Sequence, residues 1–129
     1  MVALEMLLTK DERGEMLDIL PRRVGALLDW SPYWKRDNCE ERIKNAYKKR
    51  NALLHQGRRD EVTDQDLAFT DHILVNVLTN LVSHPKLFSS KDAFVEFSQK
   101  VEAQRTLSVK KPRVRPKTLK LIRPTKPRF

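Results

Sequence analysis

Residues 62–85, VTDQDLAFTDHILVNVLTNLVSHP, carry the pattern that decides the fold. Thr63 stands as an N-cap with Asp66 three positions on, the spacing at which the two side chains satisfy each other's orphan backbone donors. Val62 is placed to staple onto Leu67. Before the Ser83-His84-Pro85 stop, Leu67, Ile73, Leu74, Val77, Leu78, Leu81 and Val82 are apolar over more than one helical face. That predicts the central helix of a bundle.

The same period continues on either side. Downstream, Ser89 with Asp92 at capping spacing opens a last helix with Phe94, Phe97 and Val101 on one side, fraying near Arg105. Upstream, Asn38 with Glu41 at N3 starts a helix through Ile43, Ala46, Tyr47, Leu53 and Leu54, and Gly57 is its expected C′ stop. Leu17, Leu20, Val24 and Leu27/Leu28 form another stripe, opened by Thr9-Lys10-Asp11-Glu12 and expected to kink or divide at Pro21. Val2 to Leu8 reads as a short apolar helix, and Trp30-Ser31-Pro32-Tyr33-Trp34 as an aromatic-rich connection forming core or lid. With three glycines in the chain and no alternating apolar pattern, a sheet is excluded. The expectation is an all-α, antiparallel bundle of four or five helices over residues 1–106.

Composition agrees with a single core. The 129 residues are 40% hydrophobic and 33% charged, a globular balance, and no apolar run approaches the roughly 20 residues of a spanning helix. One cysteine, Cys39, excludes an intrachain disulfide framework and cannot alone build a thiolate zinc site. A reducing, cytoplasmic compartment is expected. The start, MVALEMLLTKDE, lacks a basic n-region, so no signal peptide is expected. No histidine/carboxylate set has ligand spacing, and neither metal nor cofactor is expected.

The net charge of +9 is very uneven. Residues 109–129 hold nine of the 26 basic side chains, no acidic one and four of the seven prolines, leaving 17 basic against 17 acidic in the other 108 residues. Like-charge repulsion and proline make residues 107–129 an extended, largely disordered basic arm, although Leu119, Leu121 and Ile122 could dock. A second basic patch lies at residues 35–59, with nine basic and three acidic residues, followed by five acidic and no basic residues at 60–71.

Within that patch, Tyr47-Lys48-Lys49-Arg50-Asn51-Ala52-Leu53-Leu54-His55-Gln56-Gly57 interrupts the apolar stripe. Position 50 is due for a core residue and holds an arginine, costly to bury without a partner. Tyr47, Asn51 and His55 share one i, i+4, i+8 ridge, with Arg50 beside it. His55 lies near a helix C-terminus, where the macrodipole favours positive charge. A permanently charged fork for phosphate, an imidazole for proton transfer and an amide to orient either are the parts for cutting RNA without metal.

At these residues the chain resembles the HEPN domains, all-helical and often metal-independent ribonucleases whose signature is an arginine, commonly followed by asparagine, then a histidine after four to six residues. Tyr47 three residues before Arg50, and Gly57 soon after His55, look most like the ApeA-like branch. The Ala3-Leu4-Glu5-Met6-Leu7 run and Arg23-Val24-Gly25-Ala26-Leu27-Leu28 are also similar to it. The likeness covers residues 1 to roughly 85. Members of that branch usually carry the module at the end of a longer chain, so a standalone or shortened form, with an incomplete first helix, is expected.

The resemblance implies an endoribonuclease leaving a 2′,3′-cyclic phosphate, with Arg50, Asn51 and His55 catalytic, as in bacterial toxin or antiphage systems. Its cleft would be composite, formed across the two-fold axis of a homodimer. Arg50 and His55 differ by about 140° around an ideal helix, so one chain alone does not aim both at one point. Tyr47, Glu5 and Arg23 are supporting candidates, with Glu5 expected to orient Arg50 or Arg23. Lys48, Lys49, Arg58, Arg59, Lys110, Lys111, Arg113 and Arg115 are expected RNA contacts. A protein inhibitor or an N-terminal partner domain is a further expected partner.

Alternatives stay open at this point. His55 alone reads as a dipole-favoured helix-end histidine, and Arg50 as a surface ion pair with Glu41, Asp37 or the run Asp60, Glu61, Asp64 and Asp66. The whole motif could also serve a non-catalytic dimeric module that binds RNA, nucleotide or a protein partner.

Overall fold

The computed structural model describes residues 2–9, 16–57, 62–107 and 114–122. Six helices are present among them: α1 (Val2–Leu8), α2 (Met16–Leu28), α3 (Pro32–Arg36), α4 (Cys39–Gln56), α5 (Asp64–Ser83) and α6 (Lys91–Thr106). No strand occurs among the described residues. The fold is an all-α bundle.

The helix at its centre is α2, not α5. Leu20, Val24, Leu27 and Leu28 are at most 1% exposed, and α2 packs against α1, α4, α5 and α6. Pro21 is buried inside it without dividing it into two helices, one of the two outcomes expected there. The proline costs one backbone bond, to the Leu17 carbonyl, and the buried leucines on both sides hold the helix together. On α5, Phe69, Ile73, Asn76, Val77 and Asn80 form the single buried stripe. That leaves Leu67, Val75, Leu78 and Val82 at 55%, 49%, 39% and 75% exposure, because one helical face cannot bury all of the apolar residues α5 carries.

Caps explain where most helices begin and end. Thr63 and Asp66 form the complete capping box, and His84 follows the last turn of α5. Gly57 closes α4 in the left-handed conformation at φ 66, where a glycine carries no Cβ penalty. Two starts differ from expectation. Asn38 does precede α4, but at φ 52 its side chain makes no capping bond; its role is the tight left-handed corner between α3 and α4 that asparagine tolerates. The cap of α6 is Ser90, whose hydroxyl accepts from Ala93 N, one residue beyond Ser89. The aromatic-rich connection itself contains α3, with Ser31 as N-cap and Pro32 at the first position, both favourable there.

Residues 114–122 run extended along the bundle. Leu119 is 8% exposed within the core, and Val114 and Leu121 pack beside it. The Thr9-to-Glu12 cap falls almost wholly outside the described residues, as do the two ends of the arm.

Candidate functional site

The Arg50-to-His55 segment occupies the last two turns of α4. Glu5 on α1 reaches it from the far end of the sequence, and Arg50 Nη1 donates to Glu5 Oε1 at 2.6 Å. Their side chains are 25% and 20% exposed, so the pair is half-buried. Among the described residues neither Asp37, Glu41, Asp64 nor Asp66 takes this arginine, and Asp60 and Glu61 lie outside them. Its guanidinium lies 5.9 Å from the centre of the Tyr47 ring, and its Nε is buried with no hydrogen-bond partner among the described residues. With Glu5 taking Nη1 and a quarter of the side chain exposed, the guanidinium keeps further N–H donors for an oxyanion.

His55 is exposed in the final turn and Asn51 is half-buried one turn earlier. Together with Arg50 they place a fixed cation, an amide and an accessible imidazole on one short stretch of helix. Arg23 is buried at 7% exposure, its Nη1 donating to the Leu8 carbonyl at 3.2 Å, which ties α2 to the end of α1. Arg23 therefore braces the helix that carries Glu5.

Of the expected RNA contacts, Lys48 is exposed, whereas Lys49 Nζ reaches Asp66 Oδ2 at 2.7 Å and links α4 to the start of α5. That bond, followed by the Thr63 backbone N–H, holds the Asp66 carboxyl below its ordinary value. Arg115 pairs with Asp29, which also receives Arg105. Burial outweighs both guanidiniums and leaves the Asp29 carboxyl above its ordinary value. Arg58, Arg59, Lys110, Lys111 and Arg113 lie outside the described residues.

A groove of about 1230 Å³ lies where the arm crosses the bundle, lined by Asp29, Trp30, Trp34, Arg105, Arg115 and Lys117 among others; no residue of the motif contributes to it. Trp34 is buried, its ring 3.4 Å from where a Cβ at Gly25 would stand, so this glycine admits the indole against α2. Trp30 is 42% exposed with its indole N–H on the Leu27 carbonyl at 2.6 Å. Tyr33 stacks on His72 with centroids 5.5 Å apart; burial raises the phenol to about 12 and lowers the imidazole.

Among the described residues no group of three or more histidine, cysteine, aspartate or glutamate side chains is placed to hold a metal ion, and no helix is long and apolar enough to cross a membrane. The residues missed in the sequence are Asn76 and Asn80 on α5 and His84 at its C-terminal end, whose i, i+4, i+8 spacing was the available signal. All three bond to the extended arm. No family model, no curated protein and no solved structure matches the chain.

Proposed function

We propose that the chain is a HEPN-type, metal-independent endoribonuclease that works as a homodimer. The observation that carries this reading is the state of Arg50: anchored by Glu5 at one nitrogen, a quarter exposed, on the same two helical turns as an exposed histidine.

In the proposed reaction His55 takes the proton of a ribose 2′-hydroxyl, and the freed oxygen attacks the adjacent phosphorus. The P–O5′ bond breaks, leaving a 2′,3′-cyclic phosphate and a 5′-hydroxyl, to whose oxygen the His55 imidazolium returns the proton. Arg50 stabilises the charge that accumulates on the phosphoryl oxygens, Asn51 orients the phosphate or the imidazole, and Glu5 with Tyr47 positions Arg50. Acid-base catalysis of this kind contributes roughly 10²–10⁴-fold and a placed cation roughly 10²–10³-fold.

The dimer is supported by apolar side chains around the motif. Met6 beside Glu5, Leu54 one turn beyond Arg50, and Leu67 beside Asp66 are 68%, 62% and 55% exposed. A two-fold axis passing near Asn51 would cover them and bring Arg50 of one chain toward the other chain's His55. A toxin or antiphage role in a reducing cytoplasm, with a protein that restrains the activity, belongs to the same reading. Free, buried Cys39 is in keeping with that compartment.

A second reading rests on the same ion pair. Arg50 already has a carboxylate partner, and a pair that fastens α4 to α1 also suits a non-catalytic module binding RNA, nucleotide or protein. Incubation with RNA in EDTA separates the two. The nuclease reading expects cleavage by the parent and its loss in both Arg50→Ala and His55→Ala; no cleavage by the parent, or undiminished cleavage by the variants, rejects it.

A further inference from the structure

Asn76 and Asn80 are 1% and 0% exposed on successive turns of α5, and the proposed chemistry uses neither. Each reads one backbone unit of the arm. Asn80 Oδ1 accepts from Lys120 N at 2.7 Å while its Nδ2 donates to Lys120 O at 2.9 Å. Asn76 Oδ1 accepts from Ile122 N at 2.6 Å while its Nδ2 donates to Ile122 O at 3.1 Å. Each amide thus offers the donor and acceptor that a neighbouring strand would offer. The two Nδ2 groups also donate to the helix carbonyls of His72 and Asn76, at 2.9 and 3.0 Å, which fixes both amide planes. One turn further on, His84 Nε2 meets Thr118 Oγ1 at 2.6 Å, and its Nδ1 meets the Asn80 carbonyl at 3.0 Å.

The match is metric. Four helical residues advance about 6 Å and two extended residues about 6.7 Å, so residues 118, 120 and 122 fall opposite 84, 80 and 76 in near register. The intervening residues face the bundle: Leu119 is buried and Leu121 packs on the core. Upstream, Asp29 takes Arg115. Two asparagines therefore read main chain, while side-chain selection rests on an arginine followed by leucines four and six residues later.

We propose that this face of α5 is a binding groove for an extended basic peptide, that residues 114–122 are its resident occupant, and that a segment of the same Arg-x-x-x-Leu-x-Leu chemistry from another molecule competes for it. The occupant is exchangeable because α2 and the stripe of α5 hold the helices together without it. Among the described residues of the arm only Leu119 is buried, at 8% exposure. The groove stays attractive because an empty one leaves both amide oxygens without their arm N–H partners. This inference does not depend on the nuclease reading.

The probe is a fluorescein-labelled synthetic peptide of residues 114–122, followed by anisotropy. In the full-length chain, Lys120→Pro with Ile122→Pro removes both arm N–H donors and leaves α5 untouched. The parent should bind the probe weakly, its groove being occupied. The double proline variant should bind it roughly tenfold or more tightly, since apparent affinity scales with the fraction of open groove. Adding Asn76→Ala and Asn80→Ala should cancel the gain. No binding to the proline variant with its helical circular dichroism retained, or equal binding after the asparagine changes, overturns the proposal. Should the variant lose its helices, amide exchange on the unmodified chain decides instead. Saturating unlabelled peptide should speed exchange at Lys120 and Ile122, and unchanged rates there overturn it.

Discussion

Arg50 Nη1 lies 2.6 Å from Glu5 Oε1, joining the motif end of α4 to α1 across 45 residues of chain. Because the pair is half-buried and charged on both sides, Glu5→Gln should cost about 1.5 kcal/mol in urea unfolding, near the lower end for hydrogen bonds to charged groups. Glu5→Leu should cost more, since it leaves the guanidinium without any acceptor. RNA cleavage should fall in both variants while His55 remains intact. Unchanged stability in Glu5→Leu would show that the pair does not fasten the motif.

Acid should loosen the start of α5. Lys49 first, and the Thr63 N–H second, lower the Asp66 carboxyl in the folded chain from its ordinary value of 3.8. A carboxylate with a lowered folded pKa contributes stability that is fully present above its unfolded value and lost as pH falls through the folded one. Asp66→Asn should therefore lower the melting temperature at neutral pH and match the parent well below pH 3.8, as thermal melts across that range would show. Thr63→Ala should cost about 1 kcal/mol at neutral pH, the usual loss for an N-cap hydroxyl.

Cys39 should resist thiol reagents. It is 0% exposed, and burial pushes its thiol up to about 11, so at neutral pH almost no thiolate exists and none is reachable. A chromogenic disulfide reagent should label the chain only after denaturant is added. Rapid labelling of the native protein would contradict the packing of α4 against α2 and α3.

The two faces of α5 should respond oppositely to truncation. Ile73, 1% exposed, should lose about 2–5 kcal/mol on change to alanine, whereas Val82, 75% exposed, should change stability by less than about 0.5 kcal/mol. Urea unfolding of the two variants checks the orientation of this helix directly.

That orientation marks where sequence reading stopped. Local chemistry was legible: the Thr63–Asp66 box, the Gly57 stop, and helix over almost every segment assigned to it. Ser31-Pro32 also signalled α3, but it lay within an aromatic run that reads equally well as a connection. The burial of α5 was not legible, because hydrophobic content alone cannot say which face has a partner. Asn76 and Asn80 are inside and Leu78 and Val82 outside because the partner on one side is the backbone of residues 120 and 122, and backbone calls for amides. The docking of Leu119 and Leu121 was foreseeable from their place in a basic arm; the asparagine pairs that hold it were not. At the motif, the spacing singled out Arg50 and His55 as candidates, and an acidic partner from α1 could be guessed at Glu5, but choosing between Arg50 and Arg23 as its ligand required three dimensions.

The central claim is that Arg50 and His55 from different chains complete one RNA-cleaving cleft, and mixed dimers test it most directly. Arg50→Ala and His55→Ala chains, each inactive alone, are unfolded together, refolded and given RNA in EDTA. In a mixed dimer one Arg50–His55 pair across the axis has lost both groups and the other keeps both, so cleavage should return, with 2′,3′-cyclic phosphate ends, in proportion to the fraction of mixed dimers. A mixture as inactive as its components, beside an active parent, would contradict the composite cleft, and an inactive parent would remove the nuclease reading altogether.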